Sequence, residues 1–472
     1  MPNITQSQYD TARQVIRNLH IKVNLLNFNY QTISSFEGNL IEGSLTSDSN
    51  SNMRNSCTLS IVVTDSSFNI TAEGKIWLDR LVQVFIGVDD VKAGEIAWTN
   101  KGIYLINQPS YQYDASTNTV TFEGVDLMGL MTGFRGGYLL DSYLIPQGEN
   151  VREVILAILN ENGFGKYVVS ECMNIDGSIQ PVPYDIQKDA GSTWWDLLDE
   201  LLNILPNYQM YFDTDGVFHY ETIPYKKNET IQINDSIWKD NVISENVQYD
   251  FESVKNSVKV LGRAHTISNY PTTQALSGST LVLTIPSMQS LANTTMIGFT
   301  PPVEVDVSAI QIDVNNTGGR PLVDSKGAAM QKLSKGVYYV AQYNETDGNW
   351  LYMGHVQAEG YWEDDDVNSP FYVGNPAGKI EIVLYGEEYD NIVTDELAEQ
   401  RAKWEIYQRC RLNDSISITC IPVYWAEVNW MVSYTPLGQN KVQQYLIKSV
   451  ATDLKPDGTQ TLNLVKYYPY YE

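Results

Sequence analysis

Cysteine and histidine are scarce: the 472 residues include four of each. Cys57, Cys172, Cys410 and Cys420 lie far apart and form no CxxC pair. They read as reduced core residues, with one or two disulfides as the alternative. His20, His219, His265 and His355 fall in no HxxxH, HExxH or Cys/His ligand spacing, which argues against a zinc centre. His219, in VFHYET, reads as a strand residue and His355 as a surface residue. A GxSxG elbow, a P-loop and a GxGxxG turn are all missing, and Phe134-Arg135-Gly136-Gly137-Tyr138 reads as a turn. No apolar run approaches the roughly 18 residues that a membrane span needs. The opening MPNITQSQYDTARQ is polar, so a soluble chain with no secretory signal and no stable membrane insertion is expected.

Basic residues are also few. Lys and Arg number 31 against 57 Asp and Glu, a formal net charge of −26. Such a chain does not wrap nucleic acid by neutralising phosphates. The charge reads either as a means of solubility or as a surface past which DNA slides without sticking. The densest cluster, Glu363-Asp364-Asp365-Asp366, could offer oxygen ligands to a divalent cation, but it lacks the spacing and glycine of an EF-hand and reads better as a solvated loop. Among so many acids, a carboxylate pair of the glycosidase type carries no signal. The expectation is a chain that is not an enzyme, with no catalytic residue, cofactor or metal site.

Tyrosine, by contrast, is abundant at 31, with 10 Trp, and Asn, Ser and Thr punctuate the chain. This is the composition of half-buried strands joined by polar turns. Ile21, Val23 and Leu25 alternate with Lys22 and Asn24, and strand-like runs follow to about residue 137, predicting a barrel or tightly curled antiparallel sheet over 1–137. The period then becomes helical. ENVREVILAILNENGFG (149–165) stops at Asn162-Gly163, and STWWDLLDELLNILP (192–206) begins at a Thr193/Asp196 capping box and stops at Pro206. A hairpin follows, YQMYF to VFHYETI, so 138–245 reads as a small α+β domain.

VKNSVKVLG (254–262) is a further strand. After residue 380 come KIEIVLY, a helix starting near Thr394, alternating strands at 416–420 and 428–434, and a hairpin turning at Lys455-Pro456-Asp457-Gly458. These predict a second barrel from 246–265 and 376–472. Its helix is apolar on two sides, with Leu397 and Trp404 on one and Ala398, Ala402 and Ile406 on the other, which suits contact with its own sheet and with a neighbouring subunit. Between the two pieces, 266–375 reads as an inserted β-sandwich-like module containing the hairpin YNETDGNWLYMG (343–354). The fold class is mainly β.

Several of these stretches resemble the bacteriophage tail and baseplate hub proteins. They are GNLIEGSLTSDSNSNMRNSCTLSIVV (38–63) with Arg54 ahead of its strand, the WWDLLDELL helix with the YFDTDGVFHYE hairpin, 396–435, and 445–469. The resemblance covers about three quarters of the chain and carries no catalytic residues. It implies a structural virion protein made in the host bacterial cytoplasm. It further implies a homotrimer whose two barrel-like domains per subunit give a ring of six similar units. The ring would join a hexameric tail tube to a trimeric tip, spike or fibre protein, with a tape measure protein as a further candidate partner, and DNA would pass through its lumen. Residues 296–355 look like a small β module of tail fibre and baseplate proteins. Its Trp350 and Tyr352 could contact a sugar or a neighbouring tail protein; the alternative, which the pattern favours, is that they form the module's core. Two other readings are a hub that also degrades cell wall and a host-glycan adhesin with 266–375 as its head.

Overall fold

The computed structural model describes residues 4–468 except 15–16, 38–39, 63–69, 73, 114–117, 175–176, 206, 240, 265–266, 325, 412 and 456. His265, Pro206 and Pro456 therefore lie outside the described residues. The fold is mainly β, and the chain divides into two units, 1–252 with 412–472, and 253–411.

In the first unit the two-residue period does the building. Along Leu19–Leu26, Ile21, Val23 and Leu25 are buried while Lys22 and Asn24 are half-exposed. Eleven strands of one sheet follow edge to edge. They run Val242–Asp250, Asn413–Cys420, Gln460–Lys466, Gln443–Asp453, Leu40–Asp48, Asn55–Val62, Asn118–Val125, Glu95–Tyr113, Leu81–Asp90, Leu19–Leu26 and Thr32–Glu37; Met431–Tyr434 pairs with Gln443–Asp453 off this path. The sheet serves two cores. One gathers Val23, Leu25, Leu59, Val84, Tyr104 and Phe122. The other gathers Trp238, Ile418, Val432, Tyr445, Ile447 and Leu464. Each fully buried side chain of this size contributes about 1.5–3 kcal/mol of transfer free energy. The seam between the halves is the pairing of Leu40–Asp48 with Gln443–Asp453. A short N-terminal helix, Gln6–Thr11, spans it: the Ser7 hydroxyl donates to Asp90 (2.6 Å), and the Trp425 indole donates to the Gln8 carbonyl (3.2 Å).

The α+β part of this unit lies between the two sets of strands in sequence. Helix Val151–Glu161 is capped by Asn150 and ends at Asn162, with Gly163 in the left-handed region. Helix Trp194–Leu202 has the capping box expected of Thr193 and Asp196, and it buries Trp194, Leu197, Leu198 and Leu201. The following hairpin pairs Tyr208–Phe212 with Phe218–Thr222.

The second unit differs from the expected second barrel. Strand Ser257–Ala264 does not join the C-terminal strands. It lies between Gln357–Glu363, antiparallel, and Glu381–Leu384, parallel. Helix Asp395–Arg409, capped by Thr394, covers this three-stranded base. Val258, Val260, Ala358, Leu384, Ala398, Ala402 and Ile406 form the core between them. The apolar period of 254–262 is that of a central strand in any sheet, and the pattern alone cannot choose its neighbours. Leu397 packs at the edge of the same core, and Trp404 lies tilted against Tyr407 of its own helix, ring centres 5.1 Å apart.

Inserted between Ala264 and Gln357 is a seven-stranded sheet: Thr273–Ser277, Thr280–Thr284, Gln311–Val314, Arg320–Val323, Asn349–His355, Tyr339–Asn344 and Met296–Phe299. It has its own core of Leu281, Ile297, Phe299, Ile312, Leu322 and Trp350. The 343–354 stretch is a hairpin in which Tyr343 pairs with Trp350 and Asn344 with Asn349.

Candidate functional site

A polar constellation, buried at Arg54, Gln209 and Asn429, gathers on one face of the Tyr208–Thr222 hairpin. Alternation sends Met210, Phe212, Phe218 and Tyr220 into the apolar interior. It leaves Gln209, Tyr211, His219 and Glu221 together on the other face, with Gln209 opposite Glu221 and Tyr211 opposite His219. Tyr211 and His219 stack with ring centres 5.0 Å apart.

Two other parts of the unit reach this face. Arg54, at the start of strand Asn55–Val62, donates to Gln209 Oε1 at 2.8 Å, and its guanidinium lies 3.9 Å from the centre of the Tyr211 ring. Asn429, ahead of Met431–Tyr434 and in the left-handed region at φ 60°, donates to the same oxygen at 2.6 Å. The Tyr211 hydroxyl donates to Glu221 at 2.8 Å. His219 Nε2 lies 3.0 Å from Asp213, and Nδ1 lies 3.7 Å from Glu221. Nearby, Lys101 pairs with Glu427 at 2.7 Å.

The charges are set by burial and by these partners. Burial alone would lower the His219 pKa, but Asp213 and then Glu221 outweigh it and hold the imidazole at about 9. Burial lowers the Arg54 guanidinium, and Tyr211 and surrounding carboxylates oppose the shift. Asp126 accepts from the Asn55 and Met128 amides (2.9 and 3.0 Å), yet burial pushes it up to about 6. At neutral pH the site therefore holds an imidazolium between two carboxylates and a buried guanidinium on a tyrosine ring. An imidazolium has no lone pair with which to act as a base; Nε2 is held by Asp213, while the buried Nδ1 has no hydrogen-bond partner and only faces Glu221 at 3.7 Å. What the arrangement does is join: it ties the hairpin to both halves of the sheet.

The other singled-out residues fall elsewhere. Trp350 is 0% exposed, so it is a core residue of the inserted sheet. An indole with no exposed area cannot touch a partner, and the surface-contact reading does not fit it. Tyr352 is half-buried and packs against the same core. His355 is not a free surface residue but sits 2.8 Å from Asp395. His20 pairs with Asp89 at 2.7 Å. In the acidic run, Glu363 pairs with Lys379 (2.8 Å), and Asp364 turns inward to accept from Ser369 and Cys410. Among the described residues, no group of three or more His, Cys, Asp or Glu is arranged to hold a metal ion. Arg135 donates to the Leu78 and Ile106 carbonyls, consistent with a turn at 134–138. Gln209 and Asn429 were not legible as site residues. Gln209 is marked only by its place in the alternation, and nothing local marks Asn429.

A family model described as a domain of unknown function, DUF5048, matches residues 368–471. No curated protein matches the chain. Among solved structures, the 43 kDa tail protein of prophage MuSo2 from Shewanella oneidensis aligns at 12% identity and a TM-score of 0.49, over 94% of this chain and 98% of that one. Prophage tail protein gp18 from Listeria monocytogenes EGD-e aligns at 10% identity and a TM-score of 0.46, over 95% and 94%. The tail protein from Neisseria meningitidis MC58 aligns at 11% identity and a TM-score of 0.50, over 94% of this chain and 96% of that one. At such identity the likeness speaks to fold: this chain has the fold of the Neisseria tail protein, in agreement with the resemblance to tail and baseplate hub proteins carried by its sequence.

Proposed function

We propose that the chain is a structural, non-enzymatic component of a phage-like tail, and within it the hub. The observation that carries this reading is the whole-length fold likeness to a tail protein, which takes in 94% of this chain. Three features support the finer role. One sheet with two separate cores gives two core-bearing halves per chain, so a threefold axis would present six to a hexameric tail tube on one side and a trimeric tip, spike or fibre on the other. The path of that sheet ends at Thr32–Glu37 and Val242–Asp250, and edge strands of this kind are templates for pairing with another chain. The net charge of −26 suits a lumen past which DNA slides without binding. A tape measure protein remains a further candidate partner, and the virion tail the proposed location.

The test is light scattering with negative-stain imaging of the purified chain. Threefold rings with an open centre, at three times 53.3 kDa, are the expected result. A protein that stays monomeric both alone and with its tube and tip partners would overturn the hub reading. The glycan-adhesin reading loses one of its two named contacts, since Trp350 lies in the core.

A further inference from the structure

The inserted sheet stands on a narrow neck. The chain leaves the base at Ala264 and returns at Gln357, and these two residues are register partners. Strand Asn349–His355 passes through a single residue, Val356, into Gln357–Glu363 of the base. A two-strand neck of this kind permits rotation of one sheet against the other unless something spans it. An exposed Lys326–Glu396 ion pair at 3.4 Å joins the inserted side to the helix, and a more buried carboxylate, Asp395, joins both sides of the neck. Asp395, the first residue of helix Asp395–Arg409, lies 2.8 Å from His355 Nδ1 on the inserted side through Oδ2. Through Oδ1 it accepts the Glu359 amide of the base at 2.9 Å. His355 is held from its other side by Tyr339 of the inserted sheet, with ring centres 5.6 Å apart. Glu359 also faces His355 Nδ1 at 3.7 Å and is itself paired with Lys259 at 2.9 Å.

The backbone is shaped to admit this carboxylate. Gly354, at φ 92°, has no side chain where a Cβ would lie 2.4 Å from the Asp395 carboxyl carbon. Gly360 lets the base strand pass so close to the helix start that a Cβ would lie 2.1 Å from the Ala398 carbonyl carbon. Two glycines thus press both sides of the neck against one helix terminus, where a carboxylate is also favoured by the helix dipole.

We propose that Asp395 and His355 form a latch that fixes the inserted sheet on its base, so that the sheet is presented at one set angle and swings about the Ala264–Gln357 neck when the latch is broken. This inference concerns the 253–411 unit alone and stands whether or not the chain is a hub. The test uses the full chain with nitroxide labels at Thr346→Cys, in the inserted hairpin turn, and Val383→Cys, in the base. Pulsed electron resonance then gives the distance distribution between them. The unaltered latch should give one narrow distribution. His355→Phe keeps the stack on Tyr339 and removes the imidazole bond, leaving only the 3.5 Å contact of the residue-355 amide; Asp395→Ala removes every bond to the carboxylate. Each should at least double the width while far-ultraviolet circular dichroism stays unchanged. If Asp395→Ala unfolds, His355→Phe alone decides. A distribution already broad with the latch intact, or one that stays narrow in His355→Phe, overturns the proposal.

Discussion

Raising the pH should loosen the buried junction through one group, His219. In the folded chain its pKa is about 9, against 6.5 for a free imidazole, because Asp213 at 3.0 Å and Glu221 at 3.7 Å outweigh the cost of burial. A group whose pKa is raised by folding binds its proton more tightly in the native state. Its contribution to stability is therefore complete below about pH 6.5 and is lost as the pH rises through about 9. At about 1.4 kcal/mol per tenfold, the whole shift corresponds to about 3 kcal/mol. The side chain retains 17% of its exposure, and solvent screening brings the expectation to about 1–2 kcal/mol. The assay is urea unfolding of the wild type and His219→Gln at pH 6 and at pH 10. Lysine, tyrosine and cysteine titrations also fall in this range but are common to both proteins, so the difference between the two isolates His219. The wild type should exceed the variant by about 1–2 kcal/mol more at pH 6 than at pH 10. A difference that is flat across this interval would refute the imidazolium assignment.

Two substitutions probe the remaining packing. Trp350→Ala empties the centre of the inserted core and should cost about 3–5 kcal/mol, whereas Tyr352→Ala, at a half-buried position, should cost about 1–2 kcal/mol; amide hydrogen exchange across 273–355 would rank them. Arg54→Ala gives up a charged hydrogen bond and a stacked guanidinium at once, for an expected loss of about 2–4 kcal/mol. Arg54→Met keeps the stem over Tyr211 and leaves Gln209 Oε1 its bond from Asn429, so a loss of about 1 kcal/mol is expected; equal unfolding midpoints for the two variants would contradict this.

What could be read from the sequence was local. The Thr193/Asp196 cap, the stop at Asn162-Gly163, the helix starting after Thr394 and the 343–354 hairpin each depend on residues within a few positions of one another, and each stands in the structure. Strand partners were a different matter. Ser257–Ala264 pairs with strands about a hundred residues downstream, and its alternating residues would suit several neighbours equally. The junction shows the same limit: Gln209 Oε1 takes its two donors from residues 155 and 220 positions away. His219 was legible as a strand residue, but its charge depends on Asp213 meeting it across a hairpin turn and on Glu221 two residues along its own strand.

The same distinction explains where a large insertion can be accommodated. Interrupting a strand in the middle of the long sheet would break pairing on both sides of it. Interrupting the connection between Ser257–Ala264 and Gln357–Glu363 breaks none, because these strands are antiparallel neighbours whose ends already meet at Ala264 and Gln357. A hairpin loop of a few residues and a module of about ninety then differ in closure entropy by only a few kcal/mol, and a module with its own core brings its own stability. What a short loop would supply, and a long module would not, is a set orientation. That has to be rebuilt by side chains, and the His355–Asp395 contact stands at the place where the need arises.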